Sequence, residues 1–369
     1  MRKEPYRIII WGPGVMGSAL IREIATRPEF QIVAALCYSA DKAGRDVGEI
    51  AGSEPIGVKA TTDKQAIFDT AADVALVAVK DAPDYTELDN DVVRLLETGK
   101  NVICSTSYVY PPMAGEAHAQ RLLEACRKGN SSLHNCGEHP SMMCERIALT
   151  ATAFANRLKH IDVHEYTDLT LLKNPGMLRA AGIGMRADQF DQASVMLEKV
   201  WGPLFRDMAG FMAYKLHNAE PARVRTEYSA HCDFASEAFT VPELLTVEKN
   251  EALCVNQLTK GYVDGQHFIS LHNHWYFGPE NAPLAEIDSP FHVAIEVEAE
   301  PVSVRLSLQC QASFAENRFY MENDDTLPVF YLAAIPILQS IPRVCDAPAG
   351  FVFQDAASYW QPDYRGLAR

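Results

Sequence analysis

Three glycines near the amino terminus have the spacing of a dinucleotide-binding loop. Gly12, Gly14 and Gly17 form the pattern G-x-G-x-x-G between the apolar run Tyr6–Trp11 and a helix-like stretch at residues 17–26. The first glycine permits a tight turn, the second lets the backbone approach a pyrophosphate, and the third lets helix and strand pack closely. The amino end of the helix then offers N–H groups to the phosphates. The pattern predicts a bound dinucleotide; an ordinary glycine-rich turn is the alternative.

The segment after the second predicted strand bears on the choice between NADP and NAD. NAD-binding proteins usually place an acidic residue there to hold the ribose 2′-hydroxyl. Ser39, Lys42 and Arg45 stand there instead, with side chains suited to a 2′-phosphate. Asp41 keeps NAD open, and a solvated helix face is the alternative for Lys42 and Arg45. We favour NADP(H), with these predicted cofactor contacts: Gly12, Pro13, Gly14, Val15, Met16, Gly17, Ser39, Lys42, Arg45, Val79 and Ser105.

A first candidate proton donor lies in the loop at residues 105–111. Reduction of a C=O or C=N bond needs an acid beside the bond that receives the hydride. The phenol of Tyr108 is suited to that role, and Thr106, Ser107 and Tyr110 are the substrate contacts predicted in the same loop. Tyr110 precedes two prolines, so a packed ring in a rigid turn is its alternative interpretation.

Two further loops offer other candidates. In the second, Glu138 is a predicted substrate contact, and His139 is a predicted general acid because imidazole titrates near neutral pH. The alternative for His139 is a residue that only begins a helix. In the third, Glu165 is predicted to support catalysis and Asp168 to bind substrate, with a salt bridge at a hinge as the alternative.

A group of histidines further along the chain raises the question of a metal. His272 and His274 are two residues apart and would share one face of a strand, and His267 lies nearby. No cysteine or carboxylate accompanies them at regular spacing, and Trp275 follows directly. The sequence favours a sheet face here, and no metal is predicted.

The elements that would position these residues fall into two groups. Near-continuous apolar strands alternate with helix-like segments in the first part of the chain, which predicts a parallel sheet covered on both faces. After about residue 155 the strand candidates alternate apolar and polar residues, as in a half-exposed antiparallel sheet. The first group has strands at residues 6–11, 31–37, 72–79 and 101–105 and a helix at 85–98; the second has strands at 292–300 and 301–311, followed by a helix at 324–341.

Composition limits the classes of function. A chain of 369 residues exceeds what one core usually supports, so two domains are expected. The net charge of −15 argues against nucleic acid and against an anionic membrane surface. Nine cysteines are spread singly without a C-x-x-C pair, which favours a reduced protein. We expect a cytoplasmic protein that acts on a small molecule.

Several segments resemble one family. The opening GPGVMGSALIREI is similar to the glycine loop of dihydrodipicolinate reductase-like proteins, and the resemblance is nearest to the branch with 2,4-diaminopentanoate dehydrogenase and native amine dehydrogenases. The resemblance extends over most of the chain through these segments: YSADKAGRDVGEIAG, GKNVICSTSYVYPP, CGEHPSMMCERIALTATA, VHEYTDLTLLKNPGMLRAAGIGM and AAIPILQSIPRVCDAPAGFV.

The resemblance implies a domain plan and an activity. It implies an α/β fold with an N-terminal Rossmann dinucleotide-binding domain at residues 1–145. A second α+β domain, on a mixed or antiparallel sheet, would cover residues 146–325, bind substrate and form a homodimer. The tail, 326–369, would return to the first domain as a helix. The implied enzyme is an NAD(P)-dependent oxidoreductase of a small carbonyl, imine, amine or alcohol; a non-catalytic NADP(H)-binding sensor or scaffold is the alternative.

Two departures from the family narrow the expected chemistry. The H-H-x-x-K-x-D-A-P-S-G-T-A segment of the reductases is not reproduced, which argues against lysine biosynthesis. The amine dehydrogenase branch has C-E-E-x-x-Y-P, in which a glutamate is implicated in catalysis. Here Thr106 and Ser107 take the places of the two glutamates, while Tyr110 and Pro111 are kept.

Overall fold

The computed structural model describes residues 3–79, 86–173, 175–284, 289–319, 321–322, 324 and 326–361. Its strands are β1 Tyr6–Trp11, β2 Phe30–Leu36, β3 Ala60–Thr61, β4 Val74–Val77, β5 Asn101–Cys104, β6 Ser132–Asn135, β7 Arg157–Asp168, β8 Val224–Phe234, β9 Phe239–Val241, β10 Leu245–Val247, β11 Ala252–Val263, β12 Gln266–Tyr276, β13 Phe291–Glu300, β14 Val304–Gln309 and β15 Gly350–Val352. Its α-helices are α1 Val15–Ala25, α2 Val47–Ile50, α3 Lys64–Asp69, α4 Thr86–Glu97, α5 Glu116–Gly129, α6 Leu149–Ala151, α7 Pro175–Ala180, α8 Phe190–His217 and α9 Pro328–Cys345.

The first compact unit contains the predicted parallel sheet. It comprises Met1–Met142 and Tyr320–Asp355. Seven strands lie in the order β15-β6-β5-β4-β1-β2-β3, and every pairing between them is parallel. Six of them reproduce the order of the doubly wound dinucleotide fold, in which the direction of winding reverses between β1 and β4. The predicted Rossmann fold is confirmed.

Strand β1 shows why this sheet forms. Its run of large apolar residues is buried on both faces, as expected for a central parallel strand. Ile8 and Ile10 pack into the core with α1 and α9, while Ile9 and Trp11 pack into the core with α4 and α5. Helices therefore cover both faces of the sheet, and the crevice at the carboxyl ends of β1 and β4 is left for a ligand.

Helix α9 is the most apolar helix of this unit. The predicted helix at residues 324–341 begins later, at Pro328, and extends to Cys345. Proline is favourable in the first turn because its missing N–H has no partner there in any helix. By length and hydropathy, with a mean of 1.3 over 18 residues, α9 could cross a membrane. Ile337, Leu338 and Ile341 are buried in the core with α1, which accounts for its apolar character.

The second compact unit is built on a mixed sheet. It comprises Met143–Phe319 and Ala356–Arg369. Six strands lie in the order β14-β13-β7-β12-β11-β8; β7 and β12 run parallel, and the other neighbouring pairs run antiparallel. This confirms the α+β class predicted for the second domain. The strand predicted at residues 301–311 is shorter, Val304–Gln309, since Pro301 has no N–H for a sheet ladder.

The long helix α8 covers one face of this sheet. A Cβ on Gly261 of β11 would lie 3.1 Å from the Cβ of Ala209 on α8, so the glycine permits close packing. Trp201 of α8 meets Trp275 of β12 edge to face, with ring centroids 5.0 Å apart. Because side chains alternate along a strand, His272 and His274 of β12 lie on the opposite face. The first unit ends at Met142 rather than at residue 145 and resumes at Tyr320 rather than at 326, and Ala356–Arg369 of the predicted tail belong to the second unit.

Candidate dinucleotide site

The three glycines have distinct steric environments. Gly12 has φ +95°, and a Cβ on it would lie 2.8 Å from the carbonyl oxygen of Ala78. A Cβ on Gly17 would lie 2.2 Å from the oxygen of Gly12, so no side chain fits between helix and strand. At Gly14, by contrast, a Cβ would meet no described atom within 4 Å. The loop is thus closely packed at its two ends and open in its middle.

The open middle leads directly into α1. Gly14 is the N-cap of this helix and has no side chain to cap it, and the first turn of α1 carries no acidic residue. Its leading N–H groups have no partners within the helix, so they are suited to an anion. Val15 is 58% exposed at the helix start. This arrangement fits the pyrophosphate of a dinucleotide: Gly14 admits it, and the backbone of Val15 and Met16 would hold it.

Lys42 reaches the glycine loop from the segment after β2. Its Nζ donates to the carbonyl oxygen of Pro13 at 2.8 Å, although the two residues are 29 positions apart. Ser39 and Arg45 flank it in a turn in which the Arg45 amide donates to the Lys42 carbonyl. The Asp41 carboxylate accepts a hydrogen bond from Ser39, which lowers the pKa of Asp41. The structure therefore brings Lys42 against the glycine loop, with Ser39 and Arg45 in the same turn.

Tyr38 is a further candidate that the sequence analysis did not single out. Its ring follows β2, is 57% exposed, and its hydroxyl accepts a hydrogen bond from Trp11 Nε1 at 2.9 Å. Lys64 Nζ lies 5.9 Å from the ring centroid. An exposed ring held in this way next to the glycine loop is suited to stack on an adenine. Its signal in the sequence is an aromatic residue at the carboxyl end of the second strand.

The loop after β5 is held by Asn135 at the end of β6. The Ser105 amide donates to the Val77 carbonyl at 3.0 Å. Asn135 donates through Nδ2 to the carbonyls of Ser107 at 2.9 Å and Cys104 at 3.2 Å, and Ser141 donates to its Oδ1. Asn135 was not predicted as a site residue, yet it fixes the backbone around Thr106. Val79 is the last described residue after β4, beside Gly12.

The two tyrosines of this loop point into packed surroundings. Tyr108 has φ +70° and is 7% exposed, and its hydroxyl donates to Asp89 Oδ1 of α4 at 2.6 Å. Its ring stacks on His118 of α5. The ring of Tyr110 is buried beside Phe353, with centroids 5.4 Å apart. Both rings are therefore buried, and the Tyr108 hydroxyl is hydrogen-bonded to a carboxylate.

Glu138 and His139 follow β6, at the same edge of the sheet as the glycine loop. Glu138 is buried and His139 is half-buried, and their side-chain ligand atoms lie within 4.8 Å of each other. The Glu138 carbonyl accepts the Met142 amide at 3.0 Å, which closes the loop into a turn. A carboxylate next to an imidazole can orient the ring and stabilise its protonated form.

Glu165 and Asp168 lie in the second unit, on β7. Glu165 Oε1 accepts a hydrogen bond from Thr167 Oγ1 at 2.9 Å. Asp168 Oδ1 accepts three, from the Thr170 amide and hydroxyl and from the Gly278 amide. Burial raises the pKa of Asp168, and these donors oppose the rise. Asp168 thereby joins the end of β7 to the end of β12, and its contact with substrate stays a prediction.

Comparison with known proteins supports the family resemblance. Residues 6–107 match the family model described as dihydrodipicolinate reductase, N-terminus. An amine dehydrogenase from Streptomyces virginiae is 25% identical over 218 residues, which cover 56% of this chain and 59% of that protein. A 4-hydroxy-tetrahydrodipicolinate reductase from Agrobacterium fabrum is 42% identical over 62 residues, 16% of this chain and 22% of that protein. The chain thus matches less than two thirds of the length of either relative.

A solved structure extends the likeness in fold to 95% of the chain. The amine dehydrogenase from Mycobacterium smegmatis has a TM-score of 0.69 and 18% identity, over 95% of each chain. At this identity the likeness concerns the fold. Together with the sequence matches it confirms the predicted resemblance to dihydrodipicolinate reductase-like proteins and their amine dehydrogenase branch.

Proposed function

We propose that this protein is an NAD(P)-dependent oxidoreductase that reduces a small carbonyl or imine, or oxidises the matching amine or alcohol. The observation that carries the proposal is the glycine loop: Gly12 and Gly17 are closely packed, while Gly14 is open at the switch point between β1 and β4. The names of the similar proteins, a dehydrogenase and a reductase, support the same reaction class. We also propose that the protein is a homodimer in the cytoplasm, as expected in the sequence analysis.

The proposed cofactor is NADP(H). Ser39, Lys42 and Arg45 offer a hydroxyl and two cations after β2, where a 2′-phosphate would lie. Lys42 is already held against the loop by its bond to Pro13. The neighbouring Asp41 is the feature that would favour NAD, because a carboxylate accepts from the ribose 2′-hydroxyl and repels a phosphate.

The proposed proton donor is His139. When bound, the nicotinamide supplies the hydride. His139 then gives a proton to the oxygen or nitrogen of the reduced bond, and Glu138 orients the imidazole and stabilises its charged form. Tyr108 is the less favoured donor, since its hydroxyl already binds Asp89. The support that Glu165 is expected to give to catalysis stays a prediction.

Cofactor titration followed by a turnover screen tests the proposal. The purified protein is titrated with NADPH and with NADH by nicotinamide fluorescence, and NADPH oxidation is then followed with a panel of ketones and aldehydes, with and without ammonia. Tighter binding of NADPH and turnover of at least one substrate are expected. If neither cofactor binds, the whole proposal fails. Binding without turnover across the panel would favour a cofactor-binding sensor, which the hydroxyls of Thr106 and Ser107 in place of glutamates would suit.

Two variants separate the candidate donors. His139→Asn should lower kcat by about 100-fold or more, as expected for loss of a general acid, and leave NADPH affinity unchanged. Tyr108→Phe is the control, because it removes a hydroxyl that faces Asp89, and it should keep kcat. Loss of turnover in Tyr108→Phe with full turnover in His139→Asn would exchange the two assignments.

A further inference from the structure

One face of the sheet in the second unit carries a concentration of histidines. The chain has 11 histidines. Seven of them lie on β7, β8, β12 and β13, and their side chains alternate with residues that face α8. These seven are His160, His164, His231, His267, His272, His274 and His292. We call this surface the histidine face.

Three of these rings lie together on β7 and β12, the two central strands of the sheet. β7 and β12 run parallel with His164 opposite His272, so His274, two residues further on, lies on the same face. His164 Nδ1 lies 3.3 Å from His274 Nε2, and the rings of His164 and His272 are stacked with their centroids 4.0 Å apart. One ligand nitrogen from each ring lies within 4.8 Å of the other two.

We propose that His164, His272 and His274 form a binding site for a divalent transition metal ion of the zinc type. Imidazole nitrogens bind Zn²⁺ at 2.0–2.1 Å, so two nitrogens in a tetrahedral site are about 3.3 Å apart. The distance between His164 Nδ1 and His274 Nε2 matches this spacing. Three histidines leave a fourth position for water or another ligand, as in open zinc sites.

The hydrogen bonds around His274 leave its Nε2 unprotonated, as a metal ligand requires. Asn256 Nδ2 donates to the Asp233 carboxylate at 2.9 Å, which turns the amide oxygen toward His274. That oxygen lies 2.8 Å from His274 Nδ1, so Nδ1 carries the proton and Nε2 carries the lone pair. The lone pair therefore points to His164. Such a bond to the other ring nitrogen is the usual support of a metal-ligating histidine.

His272 has a carboxylate partner in the same way. Its Nε2 lies 3.4 Å from Asp162 Oδ1, which leaves Nδ1 as the ligand atom. Asp162 also meets His160 Nε2, at 3.3 Å. Carboxylate, histidine and metal in series are a recurrent arrangement in zinc sites. Because His274 Nε2 carries a lone pair, the proton in its contact with His164 Nδ1 belongs to His164. This proton moves to Nε2 of the same ring when Nδ1 binds the metal.

Zinc titration of the full chain tests this site. The protein is stripped with EDTA, dialysed and titrated with ZnCl₂ by calorimetry, and with CoCl₂ by visible absorption. One ion per chain is expected, and the Co²⁺ spectrum should show nitrogen ligation without the sulfur-to-metal bands of a cysteine site. His272→Gln and His274→Gln should each weaken Zn²⁺ binding about 100-fold, and Asn256→Ala should weaken it about tenfold.

His267→Gln is the matched control. His267 lies on the same strand, five residues before His272, and a register shift between β11 and β12 keeps it on the same face. It contacts His160 rather than His164, His272 or His274. It should bind Zn²⁺ as the wild type does. Circular dichroism checks that each variant is folded, and the Co²⁺ spectrum of the wild type decides the ligand type without any variant. No Zn²⁺ uptake at micromolar concentration, sulfur bands, or equal affinity in all variants would overturn the proposal. NADPH binding, measured separately, tests the dinucleotide site and is independent of this result.

Discussion

The glycine loop and the histidine face place functional groups by opposite means. Gly12, Gly14 and Gly17 are neighbours in the chain, and their positions follow from one turn between a strand and a helix. The histidine face gathers residues that are 110 positions apart, such as His164 and His274, through the register of two parallel strands. A local site of the first kind depends on backbone sterics. A site of the second kind depends on the strand pairing and on the side chains that are hydrogen-bonded to each ligand.

The steric difference between Gly14 and Gly17 gives the largest expected effect. Gly17→Val would place side-chain atoms against the Gly12 carbonyl, where even a Cβ lies at 2.2 Å, and should lower the free energy of unfolding by about 3 kcal/mol or more. Gly14→Val points into open space and should change it by less than about 1 kcal/mol. Urea denaturation measures both.

The same pair of variants separates folding from cofactor binding. Gly14→Val should weaken NADPH binding about 100-fold while the protein stays folded, because the side chain occupies the approach of the pyrophosphate. Fluorescence titration measures the affinity. If Gly14→Val binds NADPH as the wild type does, the open space at Gly14 is not the phosphate site. If Gly17→Val is as stable as the wild type, the loop is less tightly packed than the structure indicates.

An effect of intermediate size is expected in the pH dependence of stability. It involves Asp207 on α8, the helix that covers the sheet on the side opposite the histidine face. Burial raises the pKa of the Asp207 carboxyl from 3.8 to about 7, although Arg206 beside it lowers it. The folded chain therefore holds this proton more tightly than the unfolded chain does. The stability that Asp207 contributes is present below pH about 4 and is lost as the pH rises through about 7.

Asp207→Asn tests this effect because an amide has no proton to lose. Relative to the wild type, the variant should gain about 2 kcal/mol of unfolding free energy between pH 5 and pH 8, measured by urea denaturation at each pH. Asp188→Asn, at an exposed carboxylate of the same unit, should show no such gain. Parallel stability curves for Asp207→Asn and the wild type would mean that Asp207 is ionised throughout this range.

Lys42 gives the smallest expected effect and sharpens the account of the glycine loop. Lys42→Ala should weaken NADPH binding about tenfold, or about 1.4 kcal/mol, and leave NADH binding unchanged, because only NADPH carries the 2′-phosphate. Lys59→Ala, at an exposed lysine of the same unit, is the control. An equal loss for both cofactors would mean that Lys42 acts by holding Pro13 rather than by binding phosphate.

Much of the first unit was predictable because its signals are local. The apolar strand Tyr6–Trp11, the glycine spacing and the following helix lie within 25 residues, and all three appear in the structure. The sequence predicts that helix α9 begins at 324, although no helix-start signal stands there. In the structure the helix begins at Pro328. The predicted helix at 85–98 corresponds to Thr86–Glu97, with residue 85 outside the described part.

Side-chain environments were harder to predict. A tyrosine in a polar loop can face solvent or core, and only the packing of α4 and α5 turns Tyr108 toward Asp89. Asn135 supports the loop after β5 by donating hydrogen bonds to backbone carbonyls. Because any residue type has such a carbonyl, the sequence of the loop does not indicate this contact. Tyr38 could not be predicted as a site residue, because its exposure depends on how distant elements pack around the ring.

The sequence by itself determined the glycine loop, the alternation of strands and helices in the first unit, and the half-exposed strands of the second sheet, since each depends on residues within a turn or a strand. Only the tertiary structure decided which distant side chains meet. In the sequence, His272 and His274 by themselves favour a sheet face without a metal, because two imidazoles without a third ligand bind metal weakly. The parallel pairing of β7 with β12 brings His164 to them, and strand register is set by the packing of the whole sheet rather than by any one strand.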